Sequence, residues 1–288
     1  MSVTRVNYLE GDHVNIGGNN VTKTSDYLLP GFHRLETIQT MFGAHIAVKT
    51  FQPIIPKSAL QIAERLVDFK FLDTMFSHKS RVLHSDLGIK RTLGYLFYGK
   101  QGSGKTTTIN AIARSLENKY EACIFIVSSL QEIRSTIKFI EVAKKLKDFV
   151  AVIIFDECEY AMEKYENEMK AILDGLDTPD NIVFLCATNY IEKIPDTIKN
   201  RPSRFKYVID ISCFKEPDII FEVVKSMNNN LSDEVKLDEK SLRSMTGECI
   251  GKTMDEIKHL FMDKCFETIG IKEKKEVRNT FLGITMNP

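Results

Sequence analysis

The stretch Gly94-Tyr95-Leu96-Phe97-Tyr98-Gly99-Lys100-Gln101-Gly102-Ser103-Gly104-Lys105-Thr106 decides the fold. Residues 99–106 fill every fixed position of G-x-x-x-x-G-K-[ST], between an apolar run at 94–98 and a helical run at 107–113. A nucleotide-phosphate loop needs this strand–loop–helix context. Gly99, Gly102 and Gly104 let the backbone wrap a polyphosphate with its N–H groups pointing inward. The helix start adds unpaired donors and the positive end of a dipole. Lys105 is expected to reach the outer phosphates and the Thr106 hydroxyl to ligate Mg2+, with Gln101, Ser103 and Thr107 completing the cradle. The alternative is a Gly-rich turn without a ligand.

Outward from this loop, apolar runs alternate with helical patterns. Cys123–Val127, Val150–Phe155, Ile182–Ala187 and Tyr207–Ile211 read as further buried strands. Between the first two of these, Ile133, Ile137, Ile140, Ala143 and Leu146 mark one helical face. Near-continuous apolar strands separated by helices predict an α/β fold, a five-stranded parallel sheet covered on both sides. After Cys213 the strand signal stops, and 217–228, 237–245 and 253–268 read as helices of a small all-helical domain. Upstream, Leu60, Ala63, Leu66, Val67, Phe71 and Met75 recur at helical spacing, and Ala47–Gln52 reads as a strand ended by Pro53. Residues 33–42 read as a short helix. Asp12–Ile16 and Val21–Thr24 flank Gly17-Gly18-Asn19-Asn20, which leaves a hairpin and a loose arm both open. The expected division is an N-terminal arm or partner-binding region at 1–56, the α/β domain at 57–212 and the helical domain at 213–288. The run Lys272-Glu273-Lys274-Lys275-Glu276 reads as a solvated face or tail.

Composition excludes several classes. The chain has 288 residues, 43% hydrophobic and 27% charged, with 39 basic and 39 acidic residues. This balance gives no global argument for a nucleic-acid or membrane partner. No apolar run approaches the ~20 residues of a membrane span, and the first residues do not form a secretory signal. Six cysteines without a C-x-x-C pair predict free thiols in a reducing, cytoplasmic compartment.

Further candidates surround the loop. The third strand of the α/β part ends in Asp156-Glu157. An acidic pair there is placed for Asp156 to hold magnesium and Glu157 to polarise an attacking water; an acidic helix cap is the alternative. The fourth strand ends in Ala187-Thr188-Asn189, where the amide either orients that water or serves a turn. Arg201 and Arg204 precede the fifth strand, as an anion clamp for a neighbouring subunit or as two exposed loop residues.

Taken together, these residues resemble the AAA class of ring-forming ATPases. The lead-in Leu87–Gly99 resembles that class's approach to its phosphate loop, and Asn181–Arg204 its second region of homology. Residues 246–257 resemble the start of its last lid helix. Gly94-Tyr95 and Leu173-Asp174-Gly175-Leu176 are similar to the branch containing the mitochondrial Rieske-protein translocase. The resemblance covers roughly residues 84–268 and implies ATP with Mg2+. It makes Asn189 the γ-phosphate sensor and Arg201 and Arg204 fingers that reach the adjacent subunit. It puts Asp86, Gly88 and Gly251 against adenine, and it implies a homo-oligomeric ring, usually a hexamer. Residues 128–134 lack the aromatic pore loop of protein-threading members, so processive threading is not expected. The leading expectation is an ATPase ring that remodels or positions a protein or nucleic-acid partner, with no membrane partner. A DNA-associated loader or replication accessory and a non-enzymatic, nucleotide-dependent assembly module are the alternatives.

Overall fold

The computed structural model describes residues 6–9, 21–25, 27–40 and 43–268. Strands β1 (Val6–Leu9), β2 (Val21–Ser25), β3 (Gly31–Thr40) and β4 (Gly43–Phe51) come first. Helices α1 (Lys57–Leu66), α2 (Phe69–Met75) and α3 (His78–Asp86) follow. The alternating part runs β5 (Thr92–Tyr98), α4 (Lys105–Tyr120), β6 (Cys123–Val127), α5 (Leu130–Lys144) and β7 (Ala151–Phe155). It continues with α6 (Glu159–Lys164), α7 (Glu166–Leu173), β8 (Ile182–Thr188), the short α8 (Asp196–Lys199) and β9 (Tyr207–Asp210). Helices α9 (Pro217–Asn229), α10 (Glu239–Glu248) and α11 (Met254–Thr268) end the described chain.

The five expected strands are parallel, in the order β6-β7-β8-β5-β9, with the phosphate-loop strand between β8 and β9. Every residue of β7 and β8 is buried, because helices cover both faces. On one face Leu96, Phe125, Ile153 and Phe184 pack with Ile133, Ile137 and Ile140 of α5 and Ile172 of α7. On the other, Tyr95, Phe97, Val152 and Leu185 pack with Ala63 of α1 and Ile109, Ile112 and Leu116 of α4. Each large apolar side chain buried this way contributes about 1.5–3 kcal/mol.

Two expectations change here. The sheet does not stop at β6. β3 pairs with it in parallel, and β4, β1 and β2 extend it to nine strands. Residues 33–42 are therefore not a helix. Their apolar residues Leu35 and Ile38 have helical spacing, but β4 supplies a nine-pair antiparallel partner, from Phe32↔Phe51 to Thr40↔Gly43. Non-local pairing overrides a short, weak local pattern. β1 and β2 form an antiparallel pair, while residues 10–20 of the expected hairpin lie outside the described residues, as does the 272–276 run.

The chain divides into two compact units, 1–212 and 213–288. The first 56 residues, expected to stand apart, belong with the first unit because β3 docks on β6. In the second unit, Ile220, Val223 and Val224 of α9, Leu242 and Met245 of α10, and Ile257 and Phe261 of α11 are buried. Asn228 holds its connecting turn, bonding both Leu237 N and Leu237 O at 2.9 Å. The six cysteines are free, and no described helix is long and apolar enough to cross a membrane.

Candidate functional site

The loop between β5 and α4 has the backbone a phosphate cradle needs. Gly102 and Gly104 adopt φ of 76° and 93°, the left-handed region that L side chains avoid. Gly104 caps α4 and offers no side chain, so the first-turn N–H groups stay free for a ligand. Gly99 packs against the end of β9: a Cβ there would stand 2.8 Å from Ser212 N. Ser103 is buried with its Oγ unpartnered, an orphan donor inside the cradle.

Lys105 is buried and folds back on the loop, donating to Gly99 O at 2.8 Å and Lys100 O at 2.9 Å. Burial lowers its pKa, while the charges of Asp156, Glu159 and Glu157 pull it back up. Thr106 Oγ1 donates to Asp156 Oδ2 at 2.5 Å, so helix start and β7 end are joined by the two side chains expected at the metal. Asp156 Oδ1 accepts from Glu157 N at 3.0 Å. Glu157 is exposed, with φ of 51°, which turns the chain sharply off β7. Among the described residues no three His, Cys, Asp or Glu converge as a metal cage. A cation on Thr106 and Asp156 would take phosphate and water oxygens as its other ligands, which suits magnesium. The cradle and this oxygen pair fit a nucleoside triphosphate with a divalent cation.

Strand register brings in Asn189. Tyr98 lies opposite Thr188, so Asn189, half-buried, stands abreast of Gly99. Thr188 Oγ1 accepts from Tyr190 N at 2.9 Å and fixes the turn that presents it.

The arginines lie elsewhere. Lys206 N donates to Gly94 O at 3.0 Å, which puts the Arg201–Arg204 loop at the entrance of β5. From Gly94 the strand runs roughly 17 Å to Gly99 at about 3.3 Å per residue. Neither arginine is beside its own phosphate loop. Arg204, expected as a free finger, is buried and forks onto Asp174: Nε–Oδ1 3.0 Å and Nη2–Oδ2 2.8 Å. Its Nη1 also donates to Thr197 O. Arg201 is exposed, 3.7 Å from the same carboxylate.

Asp86 and Gly88 are not brought to the loop either. They close α3 and precede β5, whose seven residues carry the chain about 20 Å away from them. Their expected adenine contacts are therefore corrected. Gly251 belongs to the second unit, in a turn with φ of 79° whose N–H donates to Phe214 O at 2.7 Å. Sequence reading passed over Glu159, whose one signal was a third acid two residues past Glu157.

Comparison with known proteins agrees with this geometry. The family described as "ATPase family associated with various cellular activities (AAA)" matches residues 95–213. The vesicular-fusion protein SEC18 of Candida albicans is 29% identical over 242 residues, covering 70% of this chain and 30% of the relative. The ATP-dependent zinc metalloprotease FtsH of Ureaplasma parvum is 27% identical over 54% of this chain and 24% of its own length. A probable replication factor C subunit 5 of Caenorhabditis elegans is 26% identical over 47% of this chain and 42% of its own length. The chain thus spans less than half the length of each of these relatives.

Proposed function

We propose, from the premise that residues 95–213 are an AAA-family ATPase domain, that the chain hydrolyses ATP at sites shared between subunits of a ring. The observation that carries this reading is the separation of the phosphate loop from the arginine pair along β5. An arginine roughly 17 Å from its own loop can serve catalysis at the loop of another copy. A head-to-tail interface that repeats this contact closes into a ring, and a hexamer is the form we propose.

Within each site the chain's own residues divide the work. Lys105 exchanges the carbonyls of Gly99 and Lys100 for the outer phosphates as nucleotide enters. Thr106 and Asp156 hold a magnesium ion, which when bound neutralises charge on the phosphate oxygens. Glu157 polarises the attacking water as general base, and Asn189 orients that water beside the γ-phosphate. Arg201 and Arg204 of the adjacent subunit stabilise charge that develops in transfer, an effect worth about 4 kcal/mol, or 10³-fold in rate. The work so driven is remodelling or positioning of a macromolecular partner. The relatives' names span vesicle fusion, proteolysis and replication, so the class of partner does not follow from them.

Mixing two inactive variants tests the shared site. Lys105→Ala and Arg201→Ala should each lose turnover. Mixed, they should regain a fraction of it, because one subunit contributes an intact loop and its neighbour an intact arginine. Wild-type specific activity should rise steeply with protein concentration. Full activity in a dilute monomer, or no recovery on mixing, refutes the reading.

A further inference from the structure

Glu159 is the charged residue of the site to which the chemistry above gives no task. It opens α6, whose start is tied to β8 by the bond from Cys158 N to Ala187 O at 3.0 Å. Its Oε2 is sealed from solvent and has no hydrogen-bond partner. A carboxylate oxygen that has left water without gaining a donor is destabilising. The charge of Glu159 also acts on Lys105 more strongly than that of Glu157, so the carboxylate faces the phosphate loop.

The donors already present are engaged. Lys105 is held by two loop carbonyls, and phosphate is its destination. The Thr106 hydroxyl donates to Asp156. Nor does Glu159 complete a direct metal cage with Asp156 and Glu157. The missing donor must therefore arrive with the ligand. Magnesium bound through one or two protein oxygens and phosphates keeps several waters, and a carboxylate outside the first ring of ligands orients such waters. We propose that Glu159 is a positioning residue that accepts a hydrogen bond from a water on the divalent cation held by Thr106 and Asp156. The inference rests on the nucleotide-binding reading of this site.

The test separates metal from nucleotide. Mn2+ binding to the ADP complex is measured by electron paramagnetic resonance, and ADP binding in EDTA by calorimetry. Wild type is compared with Glu159→Ala and Glu159→Gln, each checked by thermal melting. Glu159→Ala should hold Mn2+ about tenfold more weakly while metal-free ADP affinity stays within about twofold. Glu159→Gln keeps the volume and one acceptor but loses the charge, so it should fall between, and it carries the comparison if the alanine variant does not fold. A purely structural role would weaken both affinities together, which overturns the proposal. Mn2+ affinity unchanged in the variants also overturns it while leaving the ATPase reading intact. Wild-type protein that takes up no Mn2+–ADP sinks that reading and this proposal with it.

Discussion

Asp174→Ala bears most directly on the arginine pair. Asp174 caps α7 and gathers four groups. Arg204 binds it through Nε at 3.0 Å and Nη2 at 2.8 Å, Ser203 Oγ at 3.1 Å, and Arg201 approaches to 3.7 Å. Arg204 is only 6% exposed and Asp174 19%, so the pair is largely withdrawn from solvent. Removing the carboxylate strands a buried guanidinium, which costs about 3–5 kcal/mol. Arg204→Ala leaves Asp174 with Ser203 and Arg201 and more access to water, and should cost less, about 2–3 kcal/mol. The double variant strands no charge and should be no less stable than Asp174→Ala alone. The cycle should then show a coupling of about 2 kcal/mol or more, read from urea-unfolding midpoints. Acid should erode the same contribution. Burial pushes the Asp174 pKa up, but hydrogen bonds from Arg204 and Ser203 and the two arginine charges outweigh it and hold it below the usual carboxylate range. The stabilisation is complete above the unfolded pKa of about 3.9 and lost as pH falls through the lower folded value. The gap between wild type and Asp174→Ala should therefore close below about pH 4. Losses that add within about 0.5 kcal/mol in the double variant would refute the argument. One consequence concerns catalysis: Arg204→Ala mixes lost fold with lost turnover, whereas the exposed Arg201 isolates the role in trans.

Other outcomes follow from single contacts. Glu157→Gln should bind ATP as wild type does while phosphate release falls about 10²–10⁴-fold, as expected for loss of a general base; turnover within a factor of ten of wild type would exclude that role. Gly94→Ala should destabilise the first unit by about 3 kcal/mol or more, because the new Cβ would stand 2.0 Å from Arg204 O and 2.8 Å from Phe205 Cδ1; an unchanged melting temperature would show that β5 and the arginine loop separate freely. Lys144 is buried beside β6, and burial lowers its pKa to about 8, with Asp148 and Asp180 opposing. Between that value and the unfolded ~10.4 the unfolded chain binds more protons, so stability should rise with pH there, a rise that Lys144→Met abolishes.

What could be read without coordinates was what lies contiguous in the chain. The phosphate loop is one run of eight residues, and Asp156 and Glu157 adjoin at the end of a strand whose apolar character is unmistakable. β3 was not legible, because its strand state depends on β4 and β6 rather than on its own spacing. The state of Arg204 was hidden for the same reason: its partner Asp174 lies thirty positions away and meets it only once β5 and β9 are aligned. Asp86 and Gly88 show the opposite error. They stand close to Gly99 in sequence, yet an extended strand moves the chain about 20 Å in six steps, so nearness along the chain became distance in the fold. The same strand length that removes them from the nucleotide also removes Arg201 and Arg204. A single subunit therefore carries a complete cradle and a complete arginine pair that cannot meet, and it is this mismatch, more than any one motif, that calls for a second copy.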